Sequence, residues 1–196
     1  TNGVWTSGVL TSLTMNNVEI AGTQAAGVWT SGVLTSLIDV RITNVSSTPG
    51  LVSDSGGWGL VVSGSDVVVH DVTIDGAVRA GIVAAVDGVA SLKNIKVSNV
   101  TEGSDGSWGR GIHLEGLDGT GEAYLENIEI DTVKETGMFI QNLANSYMEN
   151  LTISNVQSVM MASSDESVGG DGLVIVQVAE DTSLFDPTAV YMELTG

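Results

Sequence analysis

The chain has 196 residues, with 24 Asp plus Glu against 6 Lys plus Arg, a formal net charge of −18, 25 glycines and no cysteine. That charge excludes binding to a phosphate backbone, which needs Lys and Arg to displace counterions. The missing cysteine excludes disulfides, thiolate metal sites and a thiol nucleophile, and 42% hydrophobic residues is too many for a disordered acidic tail.

The first element carries a repeat. Gly3-Val4-Trp5-Thr6-Ser7-Gly8-Val9-Leu10-Thr11-Ser12-Leu13 recurs identically from Gly27 to Leu37. A looser version, glycine followed by an alternating apolar stretch, continues at Gly59, Gly81, Gly111, Gly137 and Gly172. Some way after each of the first six glycines comes Asn or Asp, apolar, polar, apolar. These are Asn17-Val18-Glu19-Ile20, Asp39-Val40-Arg41-Ile42, Asp71-Val72-Thr73-Ile74, Asn94-Ile95-Lys96-Val97, Asn127-Ile128-Glu129-Ile130 and Asn150-Leu151-Thr152-Ile153. Five residues after each Asn or Asp the slot holds Gly22, Asn44, Gly76, Asn99, Thr132 and Asn155, which favour a sharp corner. Every unit is thus made of short period-2 strands separated by turn residues.

Strands replaced by similar strands one repeat later describe a stack. The expected fold is all-β, a right-handed parallel β-helix (solenoid) of about seven coils, with Val and Ile stacked inside and corner amides forming an inward ladder. One domain is expected over residues 1–196, as a segment of a longer protein. The pattern Gly-Ile-x-Leu followed by Leu-x-Asn-Ile-x-Ile-x-Asn-Val resembles the right-handed parallel β-helix repeat superfamily. That superfamily includes pectate lyases, polygalacturonases, phage tailspikes and bacterial surface proteins. The resemblance implies the fold, and it implies no single activity, because one fold hosts many.

Corner lengths alternate. Short corners run from Gly22 to Ala26, Gly76 to Ala80 and Thr132 to Thr136. Long ones run from Ser46 to Trp58, Thr101 to Arg110 and Gln157 to Asp171. In the long corners, Ser53-Asp54-Ser55-Gly56-Gly57-Trp58-Gly59 parallels Ser104-Asp105-Gly106-Ser107-Trp108-Gly109, with Trp58 and Trp108 in equivalent places. All three long loops are expected on one side of the rod, where solenoids commonly bind. The ligand-binding candidates are Asp54, Trp58, Asp105, Trp108, Arg110 and His113. Calcium wants six to eight oxygens, and Asp165, Glu166 and Asp171 in the last loop are the only acids dense enough for it.

No catalytic set emerges. Glycoside hydrolysis needs two carboxyls across the scissile bond, and an acidic polysaccharide is repelled by this surface. The expectation is a non-catalytic extracellular or cell-surface module, an adhesin, spacer or glycan-binding stalk. Its partners would be glycans or a surface protein, with flanking domains or end-to-end association and no membrane insertion. The alternative is a polysaccharide lyase or glycoside hydrolase.

Overall fold

The structure is a computed structural model that describes residues 3–6, 10–47, 56–104, 106–160, 167–176 and 191–195. Strands β1 (Val4–Trp5), β2 (Leu10–Ala21), β3 (Ala26–Val45), β4 (Trp58–Val78) and β5 (Ala80–Thr101) are followed by β6 (Arg110–Gly116) and β7 (Glu122–Lys134). Then come β8 (Thr136–Gln141), β9 (Asn145–Met160), β10 (Ser167–Gly169), β11 (Asp171–Val176) and β12 (Tyr191–Thr195). All pair in parallel except β10, which lies antiparallel on the end of β9. The described residues contain no helix, so none is long and apolar enough to cross a membrane.

Register stacks like on like. On the first side Val4, Val28, Leu60, Ile82, Ile112, Met138 and Leu173 form one column. On the second, Met15, Leu37, Val69, Leu92, Leu125 and Met148 do so. On the third, Ile20, Ile42, Ile74, Val97, Ile130 and Ile153 follow one another. Most of these are fully buried, and the β-branched Val and Ile among them pack well on pleated surfaces. The fold is therefore the all-β parallel coil expected from the repeat.

Two single-residue corners bend each coil. The first is Asn17, Asp39, Asp71, Asn94, Asn127 and Asn150, all at φ 54–55°. The second is Gly22, Asn44, Gly76, Asn99, Thr132 and Asn155, again left-handed. Asn and Asp tolerate that region because their short polar side chains bond locally. The amide ladder exists but faces outward, which corrects the inward expectation. Asn94 Nδ2 donates to Asp71 Oδ1 (2.8 Å), Asn127 to Asn94 (2.9 Å) and Asn150 to Asn127 (2.9 Å), all exposed. The interior at that level is already filled by the Ile and Val columns, and an exposed amide avoids a desolvation penalty.

The glycine at the start of each first-side stretch, the second residue of β4, β5, β6 and β8, is not a corner residue. A Cβ at Gly111 would lie 2.5 Å from the Gly137 carbonyl oxygen and 2.5 Å from Ile130 Cγ2. At Gly81 it would lie 2.6 Å from the Gly111 oxygen, and at Gly59 2.5 Å from the Gly81 oxygen. The glycines stack because backbone and third-side core meet there with no room for a methyl group.

Candidate functional site

The third corner alternates between one clamping residue and a long loop, and hydrogen bonds join the two. In the short corners Ala25, Arg79 and Glu135 hold φ of 84°, 85° and 56°. Their amides donate to the carbonyls of Ser46, Thr101 and Gln157, where the next coil's long loop departs. Their carbonyls each accept two amides where that loop returns. Gly57 and Trp58 donate to Ala25 (2.6 and 3.0 Å), and Gly109 and Arg110 to Arg79 (2.7 and 2.9 Å). Gly170 and Asp171 donate to Glu135 (2.6 and 3.3 Å). Each short corner thus closes the base of the long loop on the following coil, and all three loops root at one edge.

This pattern corrects the pairing of Trp58 with Trp108. Trp58 is equivalent to Arg110 and Asp171, two residues further along than the sequence motif suggested. Register agrees, because Trp58 and Arg110 both align with Ala80. Trp108 lies in the loop itself, in left-handed conformation at φ 64°. The two indoles nevertheless meet, edge to face, with centroids 4.9 Å apart.

Around them the structure gathers four of the six ligand-binding candidates. His113 stacks beneath Trp108 (5.2 Å) and leans on Phe139 (5.1 Å). The Arg110 guanidinium lies over Trp108 at 4.6 Å and over Phe139 at 4.2 Å, within cation–π range of both. Its Nε and Nη2 donate to Glu135 Oε1 (3.2 and 3.0 Å), and its Nη1 to His113 Nδ1 (2.8 Å). Arg79, buried, donates from Nη1 to Ser107 Oγ (3.0 Å) and sits 5.9 Å from the Trp58 ring.

A guanidinium only donates, so His113 Nδ1 accepts and its proton rides on Nε2. Burial pushes the His113 pKa down to about 4, and the adjacent Arg110 charge pushes the same way. At neutral pH the ring is uncharged, only 5% exposed, and packed between two aromatic faces. Glu135 Oε2 is buried and finds no hydrogen-bond donor among the described residues.

Asp54, Asp105, Asp165 and Glu166 lie outside the described residues. Asp171, the remaining calcium candidate, is exposed at the root of the last loop. Among the described residues no three His, Asp or Glu gather to hold a metal ion. Arg79, Glu135 and Phe139 went unnoticed in the sequence. The available signal was Arg79 and Glu135 standing where the equivalent short corner has Ala25.

The second side carries an open groove of about 510 Å³ that sequence reasoning also missed. Tyr124 and Tyr147 stack there, centroids 4.7 Å apart and planes within 10°. Beside them Lys93 Nζ pairs with Glu126 Oε2 (2.8 Å), which pushes the lysine pKa up. His70 Nε2 meets Ser91 Oγ at 3.0 Å. Both tyrosines lie three residues before a corner asparagine, Asn127 and Asn150, so aligning the repeats brings them together.

A parallel coil with loops clamped at one edge defines a class of solenoid. The family model for a right-handed β-helix region matches residues 58–176, and the chain belongs to that family. No curated protein and no solved structure matches the chain.

Proposed function

We propose that this chain is a non-catalytic extracellular or cell-surface module, a rigid β-helical stalk that presents three long loops from one edge and binds glycans. One observation carries the reading. The side chains best suited to chemistry, Arg110 and His113, are engaged with each other, with Glu135 and with two aromatic rings. Such a cluster anchors a loop. It leaves neither the His113 imidazole free to move a proton nor the Arg110 guanidinium free to hold an anionic sugar.

The enzymatic alternative finds its best carboxylates elsewhere. Glu126 and Glu149 occupy one register position on adjacent coils, with backbones about 4.8 Å apart, and glycoside hydrolysis needs such a pair of carboxyls. Yet Glu126 is ion-paired with Lys93 and Glu149 is exposed, so neither is desolvated as a general acid is. The test is incubation of the chain with polygalacturonate and neutral polysaccharides, with calcium or EDTA, scored for reducing ends and unsaturated products. No product is expected from any of them. Cleavage of any polymer would replace the stalk reading with the enzymatic one.

A further inference from the structure

The tyrosine stack on the second side is incomplete. Strand register places Ser91, Tyr124 and Tyr147 at one position on three successive coils. Tyr147 covers one face of the Tyr124 ring, at a centroid distance of 4.7 Å that matches the coil spacing. The coil on the other face offers Ser91, whose side chain is too short to reach over a ring. Tyr124 accordingly stays 43% exposed, although its neighbour stacks on it. Coils two apart are separated by about 10 Å, so the space above Ser91 is one ring thick.

The rim of that space is polar. His70 lies on one side, hydrogen-bonded to the Ser91 hydroxyl. Lys93 and Glu126 flank it in the neighbouring column, with side chains 43% and 42% exposed. A volume of about 510 Å³ falls within the range of ligand clefts, about 300–1,000 Å³. An apolar ring face surrounded by donors and acceptors suits a ligand with an apolar face and a hydroxylated edge. A purely aromatic ligand would make no hydrogen bonds with these rim groups.

We propose that a neutral pyranose occupies the missing rung above Ser91, stacked on Tyr124, with its hydroxyls bonded to Lys93, Glu126 and the Ser91–His70 pair. Charge selects the sugar. Glu126 and Glu149 in the groove lining and a net charge of −18 repel uronates, phosphates and sulfates. The site lies on a different side of the coil from the Trp108–Arg110 cluster, so the two are separable by substitution. The inference rests on the glycan-binding part of the proposed function and assigns that part a place.

The test uses the full chain and calorimetry with cellohexaose, mannohexaose, chitohexaose and an oligogalacturonate. At least one neutral hexasaccharide is expected to bind and the oligogalacturonate to bind at least tenfold more weakly. Ser91→Tyr adds the missing rung from within, in a ladder that already accepts tyrosine, and should abolish binding with the melting temperature unchanged. Tyr124→Ala should weaken binding at least tenfold and serves if Ser91→Tyr misfolds. Trp108→Ala, on the other side, should bind as wild type. If a neutral sugar binds and both groove variants retain wild-type affinity, the groove assignment is overturned and glycan binding stands. If no sugar binds the wild type, glycan binding itself falls, and the groove assignment with it.

Discussion

Replacing Arg110 with methionine separates the anchor from the rod. The side chain keeps much of its length, and a thioether still packs on Trp108 and Phe139, recovering about 0.3–1.5 kcal/mol per aromatic contact. What is lost is the guanidinium that gives two hydrogen bonds to Glu135 Oε1 and one to His113. Glu135 then keeps a carboxylate only 17% exposed, with Oε2 already lacking a donor among the described residues. Removing one partner of a fully buried pair costs about 3–5 kcal/mol. Allowing for the residual exposure of both side chains, R110M should cost about 2–4 kcal/mol, or roughly 4–16 °C in melting temperature at this chain length. Because solenoids open locally, hydrogen exchange is the sharper assay. The amides of residues 109 and 110, which donate to the Arg79 carbonyl, should exchange faster while those of β4 hold. R110M/E135M removes the orphaned charge and should recover most of the loss. A single-variant cost below about 1 kcal/mol, or a double variant as unstable as the sum of both singles, would refute the anchoring argument.

Two further substitutions test the packing. Gly111→Ala drives a methyl group into the Gly137 carbonyl and Ile130, both fixed by the ladder, and should cost about 1–3 kcal/mol or more. Gly22→Ala, at φ 65° with open space around it, should cost only about 1–2 kcal/mol; urea unfolding that ranks Gly22→Ala as the worse would dismiss the glycine stack. His113 titrates near 4 when folded against 6.5 when free. Between those values the unfolded chain binds a proton that the folded chain does not. Stability therefore falls as pH drops from about 6.5 to about 4, by roughly 2–4 kcal/mol from this residue. His113→Gln should remove that component, and identical unfolding free-energy changes between pH 7 and pH 4.5 in both proteins would contradict the buried neutral ring.

What was legible in the sequence is what repeats at fixed spacing. The Ile columns and the Asn corners recur at matched positions, and each has a local reason, β-branched packing or tolerance of left-handed φ. The loops' common edge followed from the same arithmetic. The pairing of Trp58 with Trp108 failed because Gly-Trp-Gly and Ser-Trp-Gly look alike locally. Equivalence there is set by which amides reach the carbonyls of Ala25 and Arg79, a contact with the preceding coil. Arg79 and Glu135 escaped notice for the same reason. The Arg79 side chain bonds Ser107 in a loop that begins more than twenty residues later, the Glu135 side chain bonds Arg110 twenty-five residues earlier, and nothing in Val78-Arg79-Ala80 or Lys134-Glu135-Thr136 announces either contact. The outward amide ladder was misjudged because sequence spacing fixes the corner but not the side of the backbone the side chain takes.

The alternation of short and long corners now has a physical cause. A long loop needs a closed base, and the closing groups belong to the coil before it. Ala25, Arg79 and Glu135 can each accept two returning amides and cap one departing carbonyl only because their own corners are a single left-handed residue wide. A long loop on the same coil would move that carbonyl away. Two consecutive long loops would therefore leave the second without a clamp. The arrangement also fixes where variation is tolerated. The bases are tied at both ends by these backbone bonds. Among the described residues, side chains reinforce the second loop, where Arg79 holds Ser107 and Arg110 holds Glu135 across coils. The first loop rests on Ala25, which offers only its backbone. The three loops thus share one backbone clamp, and the side chains of the short corners decide how firmly it is braced.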